Sequence, residues 1–380
     1  MIVILNPDIG PSNPEYHQLM SYLNDLDGIE YRVHQVQGTE KLLTEIYLIG
    51  NTAALTVDQV KSMPGVERVV RVSEAYRVLG RHKQDDRPSH FDYNGVRFSQ
   101  DTLNVFAGLC AVDTPEHVEI MMRALQENGQ VCTRMGAYKP RTNPYAFQGH
   151  GKTCLPWVFE LAGKYGIKVI AMEVTHEAHV DDIRAALQQT GNPTGVMLQI
   201  GTRNTQNFEL LKAVGRQREF PVLLKRGFGI TLDESLNAAE YLASEGNTRV
   251  VFGLRGMKTN MGDPHRNFVD FSHVPVVKRL TRMPVCIDPS HSVGSRERGP
   301  EGILDTMHVT AQGVIAGANM ILVDFHPNPQ KALVDGPQAM LISELPHFLE
   351  DVQIAREAYE KRLATARRYR EARATQQVAA

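Results

Sequence analysis

The hydrophobic rhythm of the chain changes near residue 95. Before that point, short alternating stretches dominate. MIVILNP is apolar and β-prone, residues 14–26 repeat apolar positions at helical spacing, and EYRVHQVQG and EIYLIGN alternate as half-buried strands do. TVDQVKSMPG predicts a helix with Thr56 as N-cap and Gly65 closing it, and VERVVRVS predicts a last strand. The order β-α-β-β-α-β is that of a ferredoxin-like α+β domain, expected over residues 1–80. A polar stretch containing GRHKQDDRPSH predicts a linker over residues 81–95.

Beyond it, eight short apolar runs alternate with amphipathic segments: LNVFAGL, VCTRMGA, KVIAMEV, GVMLQIG, PVLLKRG, RVVFGLR, PVCIDPSH and MILVDFHP. Continuous Val/Ile/Leu runs joined by helical crossovers imply a parallel sheet buried on both faces. Eight such units over residues 96–350 predict an α/β fold, a (β/α)8 TIM barrel. An open doubly wound sheet competes, but no run is followed by GxGxxG or GxxxxGK[ST], so the dinucleotide and P-loop fingerprints are missing. Residues 351–380 are helix-prone, Arg-rich and mixed in charge, and predict a solvated or partner-packed helical tail.

Composition narrows the class without naming a chemistry. The 380 residues carry 41 basic and 43 acidic side chains, for a net charge of −2, which argues against a protein that works by non-specific nucleic-acid binding. No run reaches the roughly 18 apolar residues of a membrane span, and the N-terminus has no basic region ahead of an apolar core, so neither a membrane protein nor a secreted one is expected. Four cysteines without CxxC spacing fit a reducing cytoplasm rather than a disulfide framework.

In a barrel, chemistry belongs to the C-terminal ends of the strands. Two sets of residues fall there. Arg134, Lys139, Arg141, Arg203, Lys225 and Arg255 terminate otherwise apolar runs. Six cations at one mouth repel each other unless an anion sits among them, so a small substrate rich in phosphate and carboxylate is expected. Any one of the six could instead serve a structural ion pair. The second set is Cys110, His291, Asp324 and Asp335, a thiol, an imidazole and two carboxylates that suit a divalent transition metal with open positions. Against that, a strand-end Cys is often a small core residue, and Asp335 could cap a helix starting near Pro337.

Five segments carry a family resemblance: RMGAYKPRTNPYAFQGHG (134–151), LQIGTRNTQN (198–207), VLLKRG (222–227), DPSHSVG (288–294) and HPNPQKALVDGPQ (326–338). From Met1 to about residue 350 the chain resembles the 3-deoxy-D-arabino-heptulosonate 7-phosphate (DAHP) synthases, in the subgroup with an N-terminal ferredoxin-like domain. That resemblance implies condensation of phosphoenolpyruvate (PEP) with erythrose 4-phosphate, the first step of the shikimate pathway to aromatic amino acids. It implies that Arg134, Lys139, Arg203, Lys225 and Arg255 hold PEP, and that Arg141 and Thr142 hold the aldose phosphate. It places Cys110, His291, Asp324 and Asp335 at the ligands of a divalent ion (Mn, Fe, Co or Zn). Lys139, Glu173 and His291 are the candidate catalytic groups. It also implies a homo-oligomer, dimer or tetramer, and an aromatic amino acid as effector of the N-terminal domain. The related octulosonate 8-phosphate synthases share the barrel, and Cys110 favours a metal-dependent member.

The chain departs from the family pattern in places. GPCSVE reads Gly108-Leu109-Cys110-Ala111-Val112-Asp113, VEVHP has Asp324 for Glu, ERGIRT becomes a stretch with Lys258, and QGLG contains His150. These changes raise a second expectation, that PEP is retained while a different aldehyde is the acceptor in specialised metabolism. A third is a non-catalytic regulatory relative.

Overall fold

In a computed structural model, the structure describes all residues except 8, 38–41, 51, 53–54, 71–75, 83–85 and 379–380. It divides into two compact units, Met1–Arg77 and Val78–Ala380.

The first unit has β1 (Ile2–Leu5), α1 (Pro14–Asn24), β2 (Ile29–Gln37), β3 (Leu42–Gly50), α2 (Val57–Lys61) and β4 (Val66–Val70), in the sheet order β2-β3-β1-β4 with the β1, β2 and β3 pairings and β1–β4 antiparallel. This is the ferredoxin-like arrangement that the alternating pattern predicts. Leu19 and Leu23 of α1 and Val60 of α2 pack with Val3, Leu5, Ile46 and Leu48 of the sheet. Thr56 caps α2 in a reciprocal box with Gln59. The helix stops at Lys61, earlier than expected, and Gly65, at φ +81°, turns the chain into β4 instead of closing the helix. Of the predicted last strand, residues 71–73 lie outside the described residues.

In the second unit, β5 (Phe91–Tyr93) and β6 (Val96–Phe98) form a hairpin ahead of the barrel strands β7 (Asn104–Gly108), β8 (Cys132–Arg134), β9 (Val169–Val174), β10 (Gly195–Ile200), β11 (Val222–Lys225), β12 (Val250–Leu254), β13 (Val285–Ile287) and β14 (Met320–His326). All eight barrel pairings are parallel and β14 returns to β7, so the sheet closes. The crossovers carry α3 (Pro115–Glu127), α4 (Leu155–Lys164), α5 (Ala178–Gln189), α6 (Phe208–Arg216), α7 (Leu232–Ser244), α8 (Val274–Leu280), α9 (Pro289–Val293) and α10 (Asp305–Ile315), and a short strand β15 (Met340–Leu341) pairs with the end of β14 before α11 (Leu345–Val378). Local sequence sets these boundaries. Thr114 caps α3 ahead of Pro115, Thr231 and Glu234 form a capping box on α7, and Asn207 caps α6.

The stretch expected as a linker over 81–95 is not simply a connector. Asn94 and Gly95, both at positive φ, make the two-residue turn that joins β5 to β6. Phe91 stacks on Phe98 at 5.0 Å, and both pack against Phe106, Leu223, Val251 and Leu322 inside the barrel. Tyr93 Oη accepts from the Val196 N–H at 3.0 Å, and Asn94 Nδ2 donates to Lys168 O at 2.6 Å, so the hairpin lies at the strand starts. The barrel floor is thus an apolar plug, and the opposite end is free to be polar. The tail boundary at 350/351 falls inside α11, whose first turns bury Leu345, Phe348, Val352 and Ala355; Phe348 meets Phe325 of β14 edge-on at 5.5 Å. No helix among the described residues is long and apolar enough to cross a membrane.

Candidate active site and metal centre

The C-terminal ends of the barrel strands open on a cavity of about 280 Å³. Its lining includes all six sequence-predicted cations, Arg134, Lys139, Arg141, Arg203, Lys225 and Arg255, together with Thr142, Glu173, His291 and Asp335. Eight strands converge there, so residues spread over two hundred positions become neighbours. Cys110 and Asp324 do not line it themselves but contact His291 and Arg134, which do. Lys258 and His150 are both exposed and do not line the cavity.

The cations differ in how they are satisfied. Lys225 Nζ donates to Asp288 Oδ2 at 2.6 Å; burial lowers its pKa, and Asp288 only partly opposes that. Lys139 Nζ donates to Cys110 O at 3.0 Å and lies 3.4 Å from Cys110 Sγ and 3.5 Å from Glu173 Oε2. Burial weakens that ammonium, but Cys110 and Glu173 outweigh it, so the Lys139 pKa is raised and the group stays charged. Arg134 ion-pairs with Asp324. Arg203 donates to Thr142 Oγ1 at 3.1 Å and lies over the Phe228 ring, which also carries Arg255 at 4.6 Å. Arg255 is 3% exposed, and its Nη1 has no hydrogen-bond partner. Burial drives its pKa down to about 10. A buried guanidinium that lines a cavity with one nitrogen unpaired suits an anionic ligand.

Glu173 stands next to last in β9, and Gly201 after β10 makes room for it: a Cβ at Gly201 would stand 1.9 Å from Glu173 Oε1. Arg266 and Gln199 also line the cavity and were not singled out from the sequence. Arg266 donates to Asp335 Oδ1 at 3.4 Å and Gln338 Oε1 at 2.8 Å, and Gln338 Nε2 donates to Asp324 Oδ2 at 2.6 Å. Arg266 and Gln338 lie outside the barrel strands, so only tertiary contact reveals them, whereas Gln199 stands next to last in β10, in register with Glu173 of β9.

The second set also gathers. Cys110 Sγ lies 3.1 Å from Asp335 Oδ2 and 3.8 Å from His291 Nε2, and the latter two atoms are 3.5 Å apart. Such separations are close to the ligand–ligand edges around an ion bound at roughly 2.0–2.3 Å. His291 Nδ1 pairs with Asp288 Oδ1 at 3.0 Å, which leaves Nε2 toward Cys110 and Asp335, the carboxylate–histidine arrangement typical of metal sites. Cys110, His291 and Asp324 also offer ligand atoms within 4.8 Å of one another. In this geometry Asp324 is engaged by Arg134 and Gln338, and its N–H donates to Ser290 Oγ at 2.9 Å. Asp335 makes no cap bond; at φ 53° it turns its carboxylate to Cys110, His291 and Arg266. The donor set therefore fits a divalent ion.

Charges follow the geometry. Burial would push the Asp288 carboxyl up, but His291 and Lys225 hold it well below the usual range. Asp335 is likewise held low, since His291 and Arg266 overcome its burial. The His291 pKa is raised, because Asp288 outweighs burial and Lys225. Burial pushes the Cys132 and Cys154 thiols up to about 12, whereas at Cys110 Lys139 and Arg134 override burial and bring it down to about 7. A depressed acid contributes stability that is complete above the ordinary thiol range and is lost as pH falls through 7. The same proton competes with a metal. The affinity for Mn2+ or Co2+ is expected to weaken about tenfold per pH unit below 7 on account of this group, as read by calorimetric titration. A flat profile between pH 5 and 7 would remove the thiolate from the ligand set.

With this geometry, the comparisons with known proteins become decisive. The sequence profile of the DAHP synthetase I family matches residues 86–361, and that of the DAHP synthase ferredoxin-like domain matches residues 1–74. The chain belongs to the DAHP synthetase I family. It is an enzyme, of the transferase type that this family defines. It is 35% identical over 342 residues to phospho-2-dehydro-3-deoxyheptonate aldolase of Thermotoga maritima, covering 90% of this chain and 93% of the relative. A crystal structure of the DAHP synthase of T. maritima superposes with a TM-score of 0.69 at 30% identity, covering 94% of this chain and 96% of that one. A truncated form of the T. maritima 3-deoxy-D-arabino-heptulosonate 7-phosphate synthase aligns with TM-score 0.63 and 31% identity over 77% of this chain and 98% of its own. The 2-dehydro-3-deoxyphosphooctonate aldolase of Acidithiobacillus ferrooxidans is more distant, 24% identical over 66% of this chain and 88% of its own. The DAHP synthase family performs aldolase-type condensation of PEP and is generally metal-dependent, and its membership places this chain in shikimate-pathway chemistry.

Proposed function

We propose that this member condenses PEP with erythrose 4-phosphate, in a divalent-metal-dependent reaction, to give DAHP and inorganic phosphate. The observation that carries the reading is the buried Arg255, its Nη1 unpaired, in a cavity that it shares with Arg134, Lys139, Arg203 and Lys225 and with Arg141 and Thr142. PEP brings a phosphate and a carboxylate to the first set, and the aldose phosphate meets the second. Cys110, His291 and Asp335 would hold the ion, with Asp324 beside them; a bound divalent ion supplies Lewis acidity to a carbonyl oxygen.

The protein's own part is alignment and charge. PEP C3 forms the new carbon–carbon bond to the aldehyde carbon, water adds at C2, and the C2–O bond to phosphate breaks. Arg255, Arg203 and Lys225 neutralise the donor and hold C3 against the acceptor. Lys139, a permanent ammonium beside Glu173, stabilises negative charge growing on the acceptor oxygen. Glu173 is placed to take the proton of the water that adds at C2. His291 is less suited to that task, since Asp288 occupies one of its nitrogens and the ligand cluster faces the other.

The test is PEP consumption and phosphate release over a panel of aldehydes, with Mn2+, Co2+, Fe2+ and Zn2+. Erythrose 4-phosphate is expected to be the best acceptor. A different best aldehyde would support the changed-acceptor reading, and no turnover with any aldehyde would overturn the proposal. The changed-acceptor reading drew in part on Lys258 and His150, and neither lines the cavity.

The N-terminal unit is proposed to carry feedback control by an aromatic amino acid in a homo-oligomer, dimer or tetramer. Removal of residues 1–77 is expected to leave turnover within a few-fold and to abolish inhibition by tyrosine or phenylalanine. Inhibition that persists in the truncated enzyme would place the effector site on the barrel.

A further inference from the structure

Outside the cavity, Asp113, His117 and His326 place ligand atoms within 4.8 Å of one another. Two imidazoles and a carboxylate form a set that holds divalent iron and related ions, so a second metal site is the first reading to weigh. The hydrogen bonds argue against it. The Asn328 N–H donates to His326 Nδ1 at 2.9 Å, so that nitrogen carries the lone pair and the proton sits on Nε2. A ligating histidine needs the reverse, a lone pair toward the ion and an N–H donated elsewhere. His326 Nε2 instead donates to Asp113 Oδ2 at 2.8 Å, between two residues that are each 3% exposed. His117 Nδ1 approaches the same oxygen at 3.4 Å, and its ring stands edge-on to His326 at 4.8 Å.

The position of this bond gives it a role. Asp113 lies three residues beyond Cys110, and His326 two beyond Asp324. The β7–β14 ladder ends at Gly108 and Asp324. Past that pair, the Cys110 loop is tied by backbone to Gly136 on the β8 side, through the Val112 N–H at 2.9 Å. No proline stiffens it, since Leu109 precedes Cys110. On the β14 side, Asp113–His326 continues the connection where the ladder stops.

We propose that Asp113 and His326 form a positioning clamp that fixes the Cys110 loop against β14, and so sets the distance of Cys110 from His291 and Asp324. The clamp rests on the metal role proposed for Cys110. It predicts that breaking a bond outside the ligand set changes metal affinity and ligand field.

The experiment titrates Co2+ into metal-free full-length protein and follows its thiolate charge-transfer and visible bands, which need no turnover. Wild type is expected to bind one Co2+ per chain with a thiolate band. Asp113→Ala is expected to bind about 10- to 100-fold more weakly with shifted bands. Asp113→Asn, whose amide oxygen still accepts from His326, is expected to recover most of the affinity. Leu187→Ala, a buried α5 residue, is the control: a loss of stability alone should leave the titration unmoved. If Asp113→Ala does not fold, His326→Leu reads the other half of the clamp with the same expectation. A folded Asp113→Ala or His326→Leu with wild-type affinity and spectrum would overturn the clamp. Two Co2+ per chain, one of them lost in Asp113→Ala, would overturn it in favour of a second metal site. A wild type that binds no Co2+ at all would overturn the metal reading itself, and the clamp with it.

Discussion

Cys110→Ser is expected to lower kcat/KM by about a thousandfold or more, some 4 kcal/mol of transition-state stabilisation. Cys110 sits 4% exposed among Lys139, His291 and Asp335, with its thiol brought down to about 7. Serine keeps the volume nearly unchanged, yet its hydroxyl does not ionise near neutrality and is a poor ligand for a transition metal. Two further effects share the cause. Metal affinity should fall in parallel, and Lys139 should lose the partner that most raises its pKa. The check is steady-state kinetics at saturating PEP and acceptor over a metal series, beside direct metal titration. Retention of metal-dependent activity within tenfold of wild type would exclude the thiolate as a ligand.

The second large effect carries opposite signs for function and stability. Arg255→Met is expected to raise the KM for PEP about a hundredfold while making the substrate-free protein more stable. Burial lowers the Arg255 pKa to about 10, helped by Arg266 and Arg203, although Asp288 and Asp270 oppose it. A cation whose folded pKa lies below its unfolded value destabilises the fold. That penalty is complete below pH 10 and fades as pH rises toward the unfolded value. A drop of this size corresponds to roughly 3 kcal/mol at neutral pH, part of which is offset when the contact with Phe228 is lost. Methionine fills the space without a charge. The loss in PEP binding follows from removing charge-assisted hydrogen bonds in a dry site, worth about 2–4 kcal/mol. Thermal denaturation without ligand and the KM for PEP are the two readouts. A lower Tm with an unchanged KM would make Arg255 a structural ion-pair residue. The opposition is the stability–function trade-off expected where a site is built for an absent charge.

How legible the molecule is from its sequence depends on the range of the interaction. The eight barrel strands can be read because strands buried on both faces need continuous apolar runs, and their crossovers need amphipathic helices with caps such as Thr114 and Thr231. The strand ends can then be read as the mouth, which is why all six cations are found lining one cavity. The hairpin at 91–98 was legible in principle, since Asn94-Gly95 between alternating apolar residues is a strong turn signal. It was hidden by the polar stretch before it. The extent of α11 was obscured for the opposite reason: its first turns are apolar and read with the barrel, though they belong to one helix with the tail.

Gln199, near the end of β10 and in register with Glu173, could have been found by its place in a strand, whereas Arg266 and Gln338 could not, because their roles exist only through partners far along the chain. The same holds for the departures. Lys258 and His150 looked equivalent to Asp324 in the sequence, and the structure separates them: Asp324 is fully buried against Arg134 and Gln338, while the other two face solvent.

The sequence by itself determined the two-unit organisation, the parallel barrel, the family, and the residue types at the mouth, because each depends on local periodicity or on contiguous motifs. Tertiary structure alone decided the charge states and the pairings. Four cysteines are equivalent as letters, but Lys139 and Arg134 draw the Cys110 thiol down, whereas burial pushes Cys132 up and at Cys286 outweighs Lys225 and Arg134. Six cations are equivalent as letters too, and only packing leaves the Arg255 Nη1 and the Arg134 Nε buried without a hydrogen-bond partner. Electrostatic energies vary with distance and burial, and those are quantities that closure of the barrel creates.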